Sequence, residues 1–313
     1  MNQGWQYREQ VDRAGAGLSV LEYYTQRYRH SGRDAWNQRI VAGQVWLNGE
    51  QTTAETFLQV GQWLTYHRPP WNEPDVPLSF QVRYEDPDLF VIAKPAGLPV
   101  LPGGGFLDHT LLRQLQRQYP HDTPLPIHRL GRGTSGLMLM ARSPLARSRL
   151  SQQMRDRQIH KTYRALVHRG EMSDRFTITH PIGKIPHPDL GYVYGATPDG
   201  LAAHSDCRVL QRDAETTLLE VTILTGRPHQ IRIHLATAGY PLVGDPLYQI
   251  GGIPRLHPAR PTEPLPVPGD CGYHLHAYQL SFRHPSTGQR MSLTCPPPPL
   301  LRCRSDGDEP EPD

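Results

Sequence analysis

The sequence IHRLGRGTSG, residues 127–136, is the most informative segment of this 313-residue chain. Its C-terminal part fits Gly-x-Gly-x-x-Gly, a pattern that binds dinucleotides where it joins a strand to a helix and an acidic residue follows about 20 residues later. Asp156 lies near that spacing. However, the apolar run at 137–141 is soon followed by Ser143-Pro144, so it is too short for the phosphate-binding helix and predicts a buried strand. A nicotinamide-dependent oxidoreductase is therefore the disfavoured interpretation.

The same segment resembles the central motif of the RluA-like family of RNA pseudouridine synthases, which reads His-Arg-Leu-Asp-x-x-Thr-Ser-Gly. Every fixed position matches except the aspartate, which is replaced by Gly131. Residues 159–167 resemble the family's Lys-x-Tyr-x-Ala-x-Val strand, and residues 224–235 resemble its Thr-Gly-Arg-x-His-Gln-x-Arg-x-His motif. With a Lys-Pro-x-Gly turn that begins at Lys94, the matching segments extend from residue 82 to about 295 in the family's order.

The resemblance implies a fold and a reaction. The fold is α+β, the pseudouridine synthase fold, with a mixed, largely antiparallel sheet and flanking helices. The reaction is the isomerisation of uridine to pseudouridine in ribosomal or transfer RNA: the N1–C1′ bond breaks, the base turns, and C5 bonds to C1′. The family needs no metal ion and no cofactor for this chemistry. The target nucleotide must first leave the base stack, which costs a few kcal/mol.

The resemblance also assigns roles to residues. Tyr163 is expected to stack on the uracil and to assist in removing the C5 proton, and Arg232 corresponds to the arginine that pairs with the catalytic aspartate. Gly131 occupies the position of that aspartate, which acts as nucleophile or base at the ribose. Arg129 is expected to fill the gap that the flipped base leaves. The predicted RNA-binding residues are His128, Arg129, Arg132, Arg147, Arg155 and Lys161.

Gly131 leaves two interpretations open because glycine supplies no ionisable group. The chain is either an active synthase with a relocated carboxylate or another mechanism, or an RNA-binding protein without isomerase activity on the same scaffold. A buried Arg232 without its counter-ion would cost roughly 3–5 kcal/mol. We therefore expect an anion beside it: the carboxylate of Asp108 or Asp122, a bound anion, or RNA phosphate. If the pocket is otherwise intact, Gly131→Asp should increase activity.

The distribution of charge is consistent with a nucleic-acid partner. The net charge is +3, but residues 128–164 hold eight arginines and Lys161 against the single acid Asp156, which leaves a local charge of +8. Such a block can bind a phosphate backbone, and a solvated helix face has the same composition. The last nine residues, 305–313, carry five acids and no base.

Composition indicates the class and location of the protein. The four cysteines show no Cys-x-x-Cys spacing and are expected to be reduced thiols. No run of 18 apolar residues and no signal peptide is evident. The pairs His229/His234 and His274/His276 lack a partner cluster, so no metal site is expected. We expect a cytoplasmic monomer that binds RNA and no membrane.

The N-terminal part resembles an S4-type RNA-binding module. Two short amphipathic helices are followed by a strand, an Asn48-Gly49 tight turn and a final strand. Its helices carry the basic residues Arg27, Arg29, Arg33 and Arg39. The predicted organisation of the chain is a loose N-terminus at 1–16, the S4-like module at 17–68, a linker at 69–77, the synthase-type domain at 78–303 and a disordered acidic tail at 304–313.

Local signals place two helices in the synthase-type domain. Ser143 and Pro144 are typical of an N-cap and a first helical residue. Pro228 predicts the start of a second helix that Gly239 ends, with Arg232 on a face beside its buried stripe. Residues 251–270 are predicted to be a Pro-rich loop insertion.

Overall fold

The computed structural model describes residues 1–188, 190–256 and 266–306. The chain divides into two compact units. One consists of residues 1–74 with 186–192, and the other begins at residue 75 and lacks 186–192. The predictions for the acidic tail beyond residue 306 and for the centre of the Pro-rich insertion, residues 257–265, lie outside the described residues.

The N-terminal unit combines two helices with a four-stranded antiparallel sheet in the order β1-β4-β2-β3. Its elements are β1 (Trp5–Gln10), α1 (Val20–Arg27), α2 (Arg33–Val41), β2 (Val45–Leu47), β3 (Glu50–Gln51) and β4 (Trp63–Arg68). The expectation of a loose N-terminus is wrong for residues 5–10. Here β1 pairs with β4, from Trp5 opposite Arg68 to Gln10 opposite Trp63, so tertiary pairing orders a polar segment.

Local sequence signals explain the elements of this unit. Ser19 and Glu22 form a capping box at the start of α1, in which each side chain accepts a hydrogen bond from the other residue's backbone N–H. Asn48 and Gly49 have φ angles of 53° and 92° and make the tight turn between β2 and β3. The core of the unit includes Val20, Tyr23, Tyr24, Trp36, Ile40, Val45 and Leu64.

The second unit contains a ten-stranded sheet, which confirms the predicted mixed and largely antiparallel fold. Its strands are β5 (Gln81–Glu85), β6 (Leu89–Lys94), β7 (Leu125–Pro126), β8 (Ser135–Ala141), β9 (His160–His168) and β10 (Arg175–Ile178). The sheet continues with β13 (Ser205–Arg212), β14 (Thr216–Ile223), β15 (Leu275–Arg283) and β16 (Arg290–Thr294). Before β13 in the chain comes a separate pair, β11 (Ile182–His187) and β12 (Gly191–Ala196), of which residues 186–192 are assigned to the first unit.

The central order of this sheet is β10-β13-β14-β9-β15-β8-β6-β5, with β16 beside β15 and β7 beside β8. Neighbouring strands run antiparallel except β8 and β15, which are parallel. The sequence-distant strands β9 and β15 therefore lie side by side in the middle of the sheet, next to the strand that follows the central motif.

Strand β8 is buried on both faces, as the apolar run predicted. Alternate residues enter two cores: Met138 on one side of the sheet and Leu137 on the other. Gly136, at the start of the strand, has a φ angle of 102°, and a Cβ there would lie 2.3 Å from the carbonyl oxygen of Ala277. Only glycine fits here because β15 passes directly alongside.

In the described part of the second unit, three helices accompany the sheet: α3 (Leu111–Gln118), α4 (Pro144–Arg155) and α5 (Gln230–Thr237). Two single-turn 3₁₀ helices, Pro299–Leu301 and Arg304–Asp306, follow the last strand. The Ser143 cap and Pro144 start of α4 are as predicted.

Helix α5 begins two residues later than Pro228 predicted, because His229 adopts a left-handed φ of 54° before the first helical residue. The end of α5 agrees with the prediction, since Gly239 follows it at a φ of 91°. Arg232 was predicted on a face beside the buried stripe, but all residues from Gln230 to Ala236 are buried.

Candidate active site

A small cavity of about 90 Å³ opens beside the central motif. Three of the motifs, which are far apart in sequence, supply most of its lining, and Ile223, Tyr273 and Leu275 complete it. The lining residues are Arg129, Leu130, Gly131, Thr134, Tyr163, Ile223, Arg227, His229, Gln230, Ile231, Arg232, Tyr273 and Leu275. The fold therefore brings Tyr163, Arg232 and the position of the absent aspartate to one place.

Tyr163 reaches the cavity from the middle of the sheet. It lies on β9, opposite Val221 of β14 and Ala277 of β15, and is 6% exposed. Burial raises the pKa of its phenol, so the hydroxyl is protonated at neutral pH. Because both neighbouring strands hold β9, the ring is a rigid wall of the cavity.

Arg232 has a carboxylate partner, and it is Asp245. The Nε and Nη2 atoms of Arg232 each donate a hydrogen bond of 2.7 Å to one of the Asp245 carboxylate oxygens. The two side chains are 3% and 1% exposed. Asp245 Oδ1 also accepts the backbone N–H groups of Leu247 and Tyr248. A bidentate pair of this kind fixes the plane of the guanidinium.

The predicted partners Asp108 and Asp122 are wrong. Asp122 binds Arg142 at 2.7 Å, and Asp108 lies 3.7 Å from Arg117. The sequence does contain a signal for Asp245, because it is the acidic residue of segment 241–248, which directly follows the helix of Arg232. The backbone N–H groups of Leu247 and Tyr248 form a turn in which both donate to the Asp245 carboxylate.

Tyr273 fills the space beside Gly131. A Cβ at residue 131 would lie 2.8 Å from the Tyr273 hydroxyl oxygen, and a Cβ at Gly133 would lie 2.9 Å from its ring. The hydroxyl is 3.3 Å from Thr134 Oγ1. No motif pointed to Tyr273, because its position next to residue 131 depends on how β15 and β8 pair.

The Lys-Pro-x-Gly turn holds the loop that contains Gly131. Lys94 Nζ donates hydrogen bonds to the carbonyl oxygens of Pro95, Leu98 and Arg132, the last at 3.2 Å. The Gly97 N–H donates to the same Arg132 oxygen at 2.8 Å. Burial lowers the pKa of Lys94 to about 7. The residue thus fixes the loop rather than the reacting atoms.

Two of the predicted RNA-binding arginines, Arg129 and Arg132, flank Gly131 and differ in exposure and in hydrogen bonding. Arg129 is exposed and lines the cavity, as its predicted role requires. Arg132 instead donates from Nε to the carbonyl oxygen of Gly269 at 2.8 Å and lies over the Phe106 ring at 5.1 Å. It therefore links the central motif to the segment before Tyr273.

His128 and Lys161 do not occupy the positions expected of phosphate ligands. His128 Nε2 accepts the N–H of Leu139 at 3.1 Å, and burial lowers the pKa of His128 to about 3, so the ring is neutral. Lys161 is 7% exposed, and its Nζ lies 3.8 Å from the Met154 sulfur. Lys161 lies on a central strand whose residues are mostly buried, so the exposed basic contact expected of it is absent.

Arg147 and Arg155 lie on helix α4 and do not reach the cavity. Both are exposed and line a separate shallow surface pocket with Arg142, Ser148 and Ser151. Positions 147, 151 and 155 are four apart and share one helix face. The structure therefore places these two arginines on one basic strip along α4.

The buried histidines have structural hydrogen bonds. His229 Nδ1 is 2.8 Å from the Tyr248 hydroxyl, and His234 and His276 each bond on both ring nitrogens. Within the described residues, no group of three or more His, Cys, Asp or Glu side chains is placed to hold a metal ion. No helix in the same residues is long and apolar enough to cross a membrane.

Comparisons with known proteins identify the family of this chain. Residues 88–237 match the family model described as RNA pseudouridylate synthase. An uncharacterized RNA pseudouridine synthase of Synechocystis is 51% identical over 283 residues, covering 90% of this chain and 95% of that protein. RNA pseudouridine synthase 5 of rice is 41% identical, covering 94% and 86%. Ribosomal large subunit pseudouridine synthase D of Vibrio parahaemolyticus is 33% identical, covering 85% and 83%.

Among solved structures, human RNA Pseudouridylate Synthase Domain Containing 1 superimposes with a TM-score of 0.54 at 24% sequence identity, covering 74% of this chain and 89% of that one. This similarity concerns the fold alone, and the family is established by the sequence relatives named above. The chain belongs to the RluA-like family of RNA pseudouridine synthases.

Proposed function

We propose that this protein isomerises uridine to pseudouridine in RNA. The observation that carries the proposal is the convergence of Arg129, Tyr163 and Arg232, from three separate motifs, on one cavity beside Gly131. The names of the relatives, which are RNA pseudouridine synthases at up to 51% identity, support the same reaction.

The cavity suits a flipped pyrimidine. The Tyr163 ring offers a flat surface for stacking, and Ile223 and Leu275 provide apolar walls. Arg129 is exposed at the opening, where it can fill the gap in the RNA stack. The hydroxyl of Tyr163 then assists in removing the C5 proton, as its motif implies.

Arg232 contributes a fixed positive charge at the wall of the cavity. Asp245 holds it through two hydrogen bonds, and its guanidinium carbon lies 4.2 Å from the centre of the Tyr273 ring. In this protein the arginine is therefore oriented without help from residue 131. The role of Arg232 is to stabilise negative charge that forms during the reaction on the groups next to it in the cavity.

The RNA partner is recognised over a wider surface. The basic strip of α4, with Arg147 and Arg155, is suited to phosphate contacts. In the S4-like module, Arg29 and Arg33 are exposed, whereas Arg27 is bound to Glu9 and Asp12. Ribosomal RNA is the first substrate class to assay, and transfer RNA the second. We further propose that the protein acts as a cytoplasmic monomer.

A second candidate function is RNA binding without isomerisation. Gly131 favours it, because glycine supplies no carboxylate at the position of the family's aspartate. Asp245 cannot move there cheaply, since Arg232 and two backbone amides already occupy its oxygens. The two functions predict the same RNA affinity but opposite chemical outcomes.

Mapping of pseudouridine in RNA distinguishes them. Ribosomal and transfer RNA from cells that lack the gene are incubated with the purified full-length chain, and pseudouridine is located by chemical labelling. We expect new pseudouridine at a defined site with the wild-type chain and none with Tyr163→Ala. Binding of these RNAs without any new pseudouridine would instead establish the second candidate.

A further inference from the structure

The cavity contains a second tyrosine, and it stands where a side chain at residue 131 would begin. The hydroxyl oxygen of Tyr273 lies 2.8 Å from the position of a Cβ at residue 131. Tyr273 also lines the cavity together with Tyr163. The Tyr273 hydroxyl therefore supplies an oxygen that carries a proton at the part of the cavity wall where Gly131 has no side chain.

The Tyr273 ring is held in place on several sides. It is 5% exposed, it packs against Gly133, and the Arg232 guanidinium carbon lies 4.2 Å from its centre. Within the described residues, the hydrogen-bond partner of the hydroxyl is Thr134 Oγ1, at 3.3 Å. Either oxygen can be the donor, so the Tyr273 O–H remains available to a bound nucleotide.

We propose that the Tyr273 hydroxyl is the proton-transferring group at the reacting nucleotide and works in place of the absent carboxylate. This inference rests on the proposed synthase function. As the N1–C1′ bond breaks, its electron pair goes to the uracil ring, and Tyr273 gives its proton to uracil O2 and becomes a phenolate. After the base turns, the ring's C5=C6 electron pair forms the C5–C1′ bond.

The remaining proton transfers close the cycle. With the assistance of Tyr163, the C5 proton is transferred to the Tyr273 phenolate, which becomes a hydroxyl again. The proton on uracil O2 then moves to N1. The net change is an isomerisation, with no atom or electron gained or lost and with Tyr273 protonated again. A positioned acid or base of this kind is commonly worth on the order of 10²–10⁴ in rate.

The surroundings of Tyr273 suit both of its protonation states. Burial raises the pKa of the phenol, which keeps the proton on Tyr273 before the reaction. The Arg232 cation beside the ring acts in the opposite direction and stabilises the transient phenolate. Asp245 anchors Arg232, so this charge is in place before the nucleotide enters, although the Asp245 carboxylate offsets part of the effect by raising the pKa of the phenol.

Tyr273→Phe tests the inference because it removes the oxygen and keeps the ring. Tyr240→Phe is the control: it also removes a tyrosine hydroxyl and its exposed hydrogen bond in the same unit, to the Glu171 carbonyl oxygen, but away from the cavity. Single-turnover pseudouridine formation and RNA affinity are measured for both variants and the wild type. We expect Tyr273→Phe to lower the rate about 10²-fold or more and to leave RNA affinity within about twofold. Tyr240→Phe should match the wild type.

Each other outcome decides against the inference. If the wild type is active and Tyr273→Phe keeps its rate within about threefold, Tyr273 is not the acid and the synthase function stands. If Tyr273→Phe loses rate and RNA affinity together, the hydroxyl has a structural role only. If the wild type itself makes no pseudouridine in any RNA tested, the synthase function fails and the role of Tyr273 fails with it.

Discussion

Gly131 and Tyr273 share one space, since the Tyr273 hydroxyl lies 2.8 Å from where a Cβ at residue 131 would be. The space in which the family's aspartate side chain would begin is therefore occupied by the Tyr273 hydroxyl. A large residue on one segment is matched by the smallest residue on the other. This relationship changes what can be expected of restoring the motif.

Gly131→Asp alone should not increase pseudouridine formation, contrary to the expectation from the motif. Its Cβ would overlap the Tyr273 hydroxyl, and the buried ring cannot move aside easily because Gly133 and Arg232 pack against it. The double variant Gly131→Asp/Tyr273→Phe removes the overlapping oxygen and supplies a carboxylate, so it should be at least about tenfold faster than Tyr273→Phe alone. Single-turnover assays of the three variants check this. A gain of activity by Gly131→Asp alone would mean that the ring relocates.

Asp245→Asn should strongly destabilise the second unit. The change leaves the buried Arg232 without its counter-ion, which typically costs about 3–5 kcal/mol of unfolding free energy. The control is Asp122→Asn, whose carboxylate is 51% exposed and pairs with Arg142. This control should cost at most about 1 kcal/mol. Urea unfolding of both variants measures the difference, and equal costs would contradict the prediction.

Stability should fall as the pH decreases through the range in which free histidine titrates. Burial lowers the pKa of His276 to about 4 and of His128 and His229 to about 3. In the unfolded chain these rings titrate near about 6.5, so below that pH the unfolded state binds more protons. Each ring then removes up to about 1.4 kcal/mol of unfolding free energy per pH unit.

His276→Asn isolates one of these contributions. It should reduce the slope of unfolding free energy against pH, between about pH 5 and 6.5, by up to about 1.4 kcal/mol per unit. The exposed Gln158 provides a control without a titrating group, and Gln158→Asn should leave the slope unchanged. Chemical denaturation at several pH values gives the slopes. An unaltered slope in His276→Asn would contradict the prediction, because it would show that this ring binds protons equally in the folded and the unfolded chain.

The two substitutions Tyr163→Phe and Tyr163→Ala should separate stacking from the hydroxyl's assistance. Phenylalanine keeps the ring in the cavity, so RNA affinity should remain near the wild-type value while the rate falls. Alanine also removes the stacking surface, which is worth roughly 1–3 kcal/mol per base. The affinity for a uridine-containing RNA, measured beside the single-turnover rate, tests both expectations. Equal affinities for the two variants would exclude stacking on Tyr163.

The basic strip of α4 should contribute to RNA affinity in a salt-dependent manner. The slope of log affinity against log salt is negative. In the double variant Arg147→Ala/Arg155→Ala, it should become less steep by about 1.4 to 1.8, the amount expected for two phosphate contacts. Arg149→Ala is the control on the same helix, since Arg149 binds the Pro285 carbonyl oxygen on another face. Filter-binding at several salt concentrations gives the slopes. An unchanged slope in the double variant would remove α4 from the interface.

Much of the fold and part of the site could be predicted because the relevant signals are local. The alternation of β8, the cap at Ser143 and the Asn48-Gly49 turn each act within a few residues. Motif order was enough to place Tyr163 and Arg232 in the same site. The same local reasoning failed for Lys161, whose charge suggested exposure although β9 is central and buried.

The sequence by itself determined the family scaffold, the loss of the motif aspartate at Gly131, and the identity of the tyrosine and arginine at the site. Only the tertiary structure decided that Asp245 is the partner of Arg232 and that Tyr273 takes the space beside Gly131. The physical reason is distance along the chain: Thr134 and Tyr273 are 139 positions apart and meet only because β8 and β15 pair in parallel. Local propensity carries no information about such a contact, whereas packing in three dimensions fixes it.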